Sequence, residues 1–383
     1  SPQLHDLLRF ALQDTIRHHL IADVPVGVFL SSGLDSTTLA ALAAEQGGRL
    51  RTVTLGFEEF RGTANDEVPF AEAVARQYGA QHQTIWVARR DFQTHVNRLF
   101  DAMDQPSTDG VNTYFVSFAA ARASLKVALS GLGGDELFGG YPSFREIPRL
   151  VKALRPLPFA RSLGRALRVI STPVLNRFTS PKYAGLLEYG SSYADAYLLR
   201  RGLFMPWELP ELLEPDLVRE GWEELNTLAL LNLTAGLLSQ RSAIRDRRSV
   251  PNSDFCPLNS GRVRVSALEM CWYMRNQLLR DSDWAGMAHS LEIRVPLVDV
   301  AVLHAVAPLL ASETPPTKRD MALTPRSPLP AALLARPKTG FSVPVRDWLL
   351  RDSQTFSLNA QPRANSRGLR GWARQVYDRF TRN

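Results

Sequence analysis

Ser31-Ser32-Gly33-Leu34-Asp35-Ser36 follows directly on the apolar run 24–30 and leads into Thr37-Thr38-Leu39-Ala40-Ala41-Leu42-Ala43-Ala44. The run before it reads as a buried strand and the segment after it as a helix. A strand that passes through small hydroxylated residues into a helix N-terminus points backbone N–H groups and hydroxyls at one spot. The positive end of the helix dipole stands behind them, so the turn suits phosphate. Asp35 adds a carboxylate to this anion site, which makes chemical sense if it holds Mg2+ against the phosphates. A nucleotide is the first expectation. The plainer alternative leaves Ser36 as a helix cap. No Gly-Lys-Ser/Thr follows, so the turn is not a Walker loop, and the G-x-G-x-x-G spacing of a dinucleotide site is absent.

A second segment repeats the arrangement. Lys126-Val127-Ala128-Leu129 is a short strand-like run that feeds Ser130-Gly131-Leu132-Gly133-Gly134-Asp135-Glu136-Leu137-Phe138-Gly139-Gly140-Tyr141. Its glycines let the backbone approach a ligand closely. The carboxylates of Asp135 and Glu136 again sit just past a parallel strand, where doubly wound sheets bind ligands. Two loops of this kind can place Asp35 and Asp135 on one metal ion. A flexible surface turn would explain the glycines but not the repeated strand–Gly–Asp order.

Outward from these loops, strands are predicted at 24–30, 51–57, 83–87 and 126–129. Helices are predicted at 36–46, 66–78, 92–103 and 113–124. This alternation argues for an α/β fold with a doubly wound parallel sheet and right-handed crossovers. From about Pro142 onward strand signals vanish and helical periodicity takes over, which predicts an α/β core over 1–142 and a mainly helical portion over 143–383. Buried helices are expected at 265–279 and 300–310. Residues 245–262 and 312–330, rich in Pro, Ser, Asn and Arg, read as loops.

The chain has 383 residues, 45% hydrophobic and 22% charged, within the ordinary globular range. Its two cysteines, Cys256 and Cys271, support neither a disulfide framework nor a cysteine metal site, and a cytoplasmic location is expected. The longest apolar stretch, 225–238, contains two Asn and is too short to span a bilayer. Net charge is +7, with Lys and Arg clustered over 145–182, where Glu146 is the only acid. That strip could meet a nucleic acid, a polyanion or a membrane surface; a solvated helix face is the plainer reading.

Four blocks occur in order: residues 31–36, residues 130–141, Met287-Ala288-His289-Ser290-Leu291-Glu292-Ile293-Arg294-Val295-Pro296-Leu297-Val298-Asp299, and Arg336-Pro337-Lys338-Thr339-Gly340-Phe341. Together they resemble the synthetase domain of class B, glutamine-dependent asparagine synthetases, a PP-loop ATP-pyrophosphatase domain of HUP-like fold. The similarity runs from near residue 5 to about residue 350 and is weakest between about 145 and 260. The resemblance implies ATP and Mg2+. In such enzymes a substrate carboxylate, most often aspartate, attacks the α-phosphorus of ATP, pyrophosphate leaves, and ammonia converts the acyl-adenylate to an amide and AMP.

On this resemblance Ser31, Ser32, Gly33 and Ser36 cradle pyrophosphate, and Asp35 and Asp135 bind Mg2+. Phe29, Leu55, Ser130 and Gly131 lie near adenosine, although Phe29 and Leu55 also suit strand-end core positions. Lys338 is the cation expected at the α-phosphate. Glu292, Arg294 and Asp299 read as partly buried ion pairs at a domain interface, and His289 as structural.

Two departures stand out. Where the family carries an acid in the Ser-Gly-acid-Gly loop, this chain has Leu132, which cannot move a proton. Glu136 is the nearest replacement base. The N-terminal glutaminase domain that supplies ammonia from glutamine is also missing before residue 24, and the start at Ser1 suggests truncation. Related ligases acting on other carboxylates (β-lactam synthetases, lasso-peptide cyclases, exopolysaccharide-linked amidotransferases) and tRNA-modifying PP-loop enzymes remain alternatives. No nucleic acid partner is expected, and a homodimer is left open.

Overall fold

The computed structural model describes residues 2–178, 181–244, 260–336, 344, 348 and 369–381. Strands β1 (Val26–Phe29), β2 (Arg51–Phe57), β3 (Gln81–Val87), β4 (Val127–Leu129) and β5 (Glu292–Arg294) form one sheet in the order β3-β2-β1-β4-β5. Every pairing is parallel, with Gly27 opposite both Arg51 and Ala128, and Leu129 opposite Arg294. The order reverses direction at β1, so the carboxyl ends of β1 and β4 diverge into a crevice. The β-branched and apolar residues of these strands suit burial between two helical layers.

Helices α1 (Pro2–His19), α2 (Leu34–Ala44) and α3 (Val68–Gln77) cover one face, with Leu8, Leu12, Ile16, Leu39, Leu42 and Val74 in a shared core. Helices α4 (Arg89–Ala102) and α5 (Val111–Arg122) cover the other, where Phe92, Leu99, Tyr114 and Phe115 meet Leu55 and Phe57. The expected doubly wound α/β arrangement is present, and residues 51–57 form β2 as predicted. Helix α2 is apolar all round because it lies between the sheet and α1 and buries every residue from Ser36 to Ala43.

Residues beyond 142 do not lack strands altogether, as their helical patterning suggested. Glu292–Arg294 is the fifth strand, and at three residues it is too short to show a period of two. The helical portion has its own core, built by Phe144, Ile147 and Val151 of α7 (Ser143–Leu154) with Tyr197, Leu231, Val265 and Leu268. Between α7 and residue 244 run α8 (Ala160–Phe178), α9 (Leu186–Tyr189), α10 (Tyr193–Arg201), α11 (Pro215–Leu225) and α12 (Thr227–Ile244).

The helix expected over 265–279 is split. An α-helical turn run, α13 (Gly261–Leu268), passes into a π-helix over Glu269–Leu278 before α14 (Leu279–Met287). The helix over 300–310, α15 (Val300–Leu310), buries only Val302 and Val306 and leaves Val300 63% exposed, so it is a surface helix and not the buried one expected.

Part of 312–330 is also helical. Thr317 caps a short helix, α16 (Lys318–Ala322), by accepting from the Asp320 N–H, while the Asp320 carboxylate accepts from the Thr317 N–H at 2.7 Å. Beyond it lie α17 (Ala331–Ala335) and α18 (Leu369–Thr381). Among the described residues, no helix is long and apolar enough to cross a membrane. Cys271 is a free thiol, and Cys256 lies outside the described residues.

Candidate active site

The chain leaves β1 at Phe29, and Ser31 begins a turn whose hydroxyls hold one another. Ser31 Oγ and Ser36 Oγ are 2.8 Å apart, and Ser31 Oγ accepts from the Gly33 N–H at 3.1 Å. Gly33 occupies the N-cap of α2 in extended conformation and offers no side-chain acceptor to the first turn. The N-terminal amides of α2 therefore form a donor set at the positive end of its dipole.

From the neighbouring strand, the Ser130 N–H donates to the Arg294 carbonyl at 2.8 Å, so β5 steadies the start of the glycine loop. Gly133 takes φ +95°, a conformation that L side chains rarely adopt. Gly134 opens α6 (Gly134–Phe138), and a Cβ there would lie 2.4 Å from Asp35 Oδ1. The two loops thus touch where only hydrogen fits.

This close approach brings Asp35 and Asp135 together. The Lys318 ammonium bridges them, 2.5 Å from Asp35 Oδ2 and 2.5 Å from Asp135 Oδ1. Burial alone works to strip the proton from Lys318, but the attraction of Asp35 and then Asp135 outweighs it and raises its pKa. Lys318 escaped the sequence reading because Thr317-Lys318-Arg319 looks like an exposed polar turn. The only local signal is the Thr317–Asp320 capping pair, which starts a helix there.

Phe29, Ser31, Gly33, Asp35, Ser36, Leu55, Ser130, Gly131, Asp135 and Glu136 all line one cavity of about 230 Å3 at the crevice. Phe29 and Leu55 form apolar wall there, joined by Val116 and Ile293, while Asn112, Thr113 and Ser282 add polar groups that the sequence reading did not single out. Leu132 faces the same space. Ser32 is not part of this lining; its buried hydroxyl accepts from the Arg336 guanidinium instead. Lys338 lies outside the described residues. A larger cleft of about 810 Å3 near Phe144, Lys152, Arg155 and Arg262 holds none of the loop residues.

Behind the cavity lies a buried polar network. Glu136 is 1% exposed and accepts from the Tyr141 hydroxyl at 2.8 Å. Burial pushes its carboxyl up to about 7, with the nearby charge of Asp135 adding to the rise. The Arg201 guanidinium lies 4.4 Å from the Tyr141 ring centre and 3.7 Å from that of Tyr273. It also pairs with the fully buried Glu269 at 2.8 Å. Glu269, the first residue of the π-helix, accepts from Ser143 Oγ at 2.5 Å. A charged residue inside the apolar 265–279 run was the signal that a buried partner existed.

Glu292, Arg294, Asp299 and His289 of the third block are not part of the cavity lining. Arg294 donates to the carbonyls of His19 and Ile21 and pairs with Glu292 at 2.7 Å. Asp299 caps α15 through the Ala301 N–H. His289 stacks edge-on against Tyr114 with centroids 4.4 Å apart, and its pKa is pushed down to about 4 by burial and by Arg98.

Two carboxylates meeting at a phosphate-type turn can hold a hard divalent cation only with help, because most of its oxygen ligands must come from elsewhere. Among the described residues no cluster of three or more His, Cys, Asp or Glu could cage a metal by itself. As oxygen donors, Asp35 and Asp135 would suit such an ion if phosphate oxygens completed its coordination.

Similarity to known proteins runs through these same loops. The sequence model of the family described as "Asparagine synthase" matches residues 7–380. A Mycobacterium tuberculosis (strain ATCC 25618 / H37Rv) protein, provisionally named as a glutamine-hydrolysing asparagine synthetase, is 32% identical over 353 residues, which are 90% of this chain and 49% of that protein. Bacillus subtilis (strain 168) asparagine synthetase [glutamine-hydrolyzing] 1 is 27% identical over 359 residues, 92% of this chain and 51% of that protein. Escherichia coli (strain K12) asparagine synthetase B [glutamine-hydrolyzing] is 30% identical over 162 residues, 37% of this chain and 28% of that protein. The chain spans about half the length of the first two relatives. A match that extends over nearly every residue, and takes in both loops that bring Asp35 and Asp135 together, means that this chain belongs to the asparagine synthase family.

Proposed function

We propose that the protein is an asparagine synthetase-type, ATP-dependent amide ligase that adenylates a carboxylate, with aspartate the first candidate. The observation that carries this reading is the meeting of Asp35 and Asp135 on one cation beside the cavity at the sheet's reversal point. ATP fits the apolar wall of Phe29 and Leu55 on one side and the amides and hydroxyls of the Ser31–Ser36 turn on the other. Mg2+ held by Asp35 and Asp135 would neutralise charge on the phosphate oxygens.

The rest of the work belongs to the protein's own groups. Forming an amide from a carboxylate and an amine in water is unfavourable, and adenylation couples it to loss of pyrophosphate. The chain must align the carboxylate with the α-phosphorus and stabilise the departing charge. The Ser31 and Ser36 hydroxyls and the α2 amides bind the leaving pyrophosphate. Lys318, which pairs with both carboxylates here, would keep its positive charge beside the phosphates when Asp35 and Asp135 hold the metal. Lys338 serves the α-phosphate, so its replacement by alanine should leave nucleotide binding largely intact while slowing adenylation. Glu136, poised near neutral pH, accepts the proton that the attacking amine loses. The amine is ammonia, delivered from glutamine by a glutaminase domain outside these residues.

Leu132 on the cavity wall favours one variant of this reading, in which the acceptor amine or the carboxylate differs from ammonia and aspartate. The deciding experiment is a pyrophosphate-release screen across carboxylates with ATP, Mg2+ and ammonium, aspartate first. Release with aspartate and formation of asparagine establish the first reading. Release with another acid alone moves the substrate and keeps the chemistry, and no release with any acid removes the assignment.

A further inference from the structure

Helix α8 is built inside out. Its inner face is Ala160, Gly164 and Arg168, spaced four apart on one side of the helix. Gly164 lies so close to α9 that a Cβ would stand 2.3 Å from the Glu188 N. Arg168 pairs with Glu188 at 2.7 Å, and its guanidinium lies 4.3 Å from the Trp207 ring centre. A small residue, a glycine and a salt bridge therefore dock the helix.

Its large apolar side chains lie on the exposed arc instead. Leu163, Leu167 and Ile170 recur at helical spacing and are exposed, Ile170 by 74%, and Phe159, just before the helix, is 82% exposed. Val169 extends the stripe at 64% exposure. Phe159 holds φ +63°, a sparsely populated conformation for a bulky residue, at the point where its ring stands in solvent. Exposed Arg161 and Arg165 border the exposed arc on the side of Val169, and Lys152 and Arg155, near the end of α7, are exposed as well. From residue 147 to residue 187 every Asp, Glu, Lys or Arg is Lys or Arg. Glu188, the first acid after this stretch, is paired with Arg168 on the inner face.

We infer that α8 is a membrane-surface helix that lies on an anionic lipid bilayer, its Phe159–Ile170 stripe sunk among the acyl chains and its arginines on the headgroups. A soluble partner groove would be served by the apolar stripe alone. A nucleic acid would be served by the arginines alone and would leave the apolar residues in water. The two together, with no acid on the face, match a basic amphipathic interfacial helix. The arginine stems reach along the apolar surface and place their charges at headgroup level.

Co-sedimentation of the full chain with phosphatidylcholine vesicles, with and without phosphatidylglycerol, tests this. Binding is expected only to the vesicles containing phosphatidylglycerol and should weaken in high salt. The double substitution Phe159→Ser/Ile170→Ser should lower it about tenfold or more, and Leu163→Ser alone should lower it by a smaller factor. Arg161→Ala/Arg165→Ala should weaken binding and flatten its salt dependence. Circular dichroism should stay unchanged in all three, which separates loss of binding from loss of fold. The inference is overturned if the wild type does not sediment, or if the variants sediment as well as it does. It is also overturned if sedimentation velocity shows a dimer that Phe159→Ser/Ile170→Ser dissolves, because a second copy then covers the face. RNA binding that depends on Arg161 and Arg165, with no effect of the serine substitutions on vesicles, likewise overturns it.

Discussion

Lys318 and Asp135 stand 183 positions apart in the chain, yet the lysine ammonium lies 2.5 Å from Asp135 Oδ1 and bridges it to Asp35. The bridge makes Lys318 the internal counter-ion of two carboxylates that would otherwise repel each other.

Lys318→Met should therefore leave both carboxylates short of positive charge and cost about 3 kcal/mol of metal-free stability. Added Mg2+ should raise the unfolding temperature of the variant more than that of the wild type, because the ion then no longer competes with the Lys318 ammonium. Thermal melts with and without MgCl2 check this. Equal shifts in the two proteins would show that the metal binds elsewhere.

Asp35→Asn and Asp135→Asn keep the shape of each side chain and remove its charge. Each should lower Mg2+-dependent, carboxylate-stimulated pyrophosphate release about a hundredfold or more. Full activity in either variant would remove that residue from the metal assignment.

Glu136 gives a pH signature with a definite sign. Its carboxyl is raised from 4.5 to about 7 in the folded protein, so the folded chain holds a proton that the unfolded chain has released. Stability attributable to this group is lost as pH rises from about 4.5 through about 7, and the loss reaches about 3 kcal/mol above that window. Glu136→Gln should flatten the pH dependence of the unfolding temperature between pH 5 and 8 (approximately the window set by this carboxyl). If Glu136 takes the amine proton, the same variant should also lose the acidic limb of the amide-formation profile. A profile unchanged by Glu136→Gln would assign the proton to another group.

Leu132→Glu places a carboxylate on the cavity wall where the family carries an acid. Asparagine formation from free ammonia should rise severalfold if proton removal is limiting, and product analysis reads it directly. No rise would indicate that Glu136 or the acceptor itself already handles the proton.

The loops that carry Asp35 and Asp135 were legible because each repeats a strand, small residues and an acid within one short window. Their mutual contact follows from β1 and β4 being neighbours in the sheet, an order that the sequence reading did not assign. Lys318 was not legible: α16 packs against α2 and α6 only through the tertiary fold, and nothing around residue 318 distinguishes it from a surface lysine. Ser32 shows the converse. It looks equivalent to Ser31 in the motif, but the extended turn before α2 carries its hydroxyl away from the cavity and toward Arg336. The Arg201–Glu269–Tyr141 network was not read from the sequence; its one local signal is the acid Glu269 within the 265–279 run, and the cation that satisfies it comes from a distant helix. β5 was hidden by its length. Three residues contain too little pattern to separate a strand from the turn around it.

That late strand has a consequence for how the protein comes into being. β4 ends at Leu129 and its outer neighbour is not made until Arg294. A nascent polypeptide emerging from the ribosome therefore carries an open sheet edge at β4 until the strand that covers it has been made. Until Glu292 to Arg294 arrive, the edge is a template for aggregation. Chains terminated upstream of this segment should become chaperone clients, with the Ser130 amide still lacking the carbonyl that anchors it.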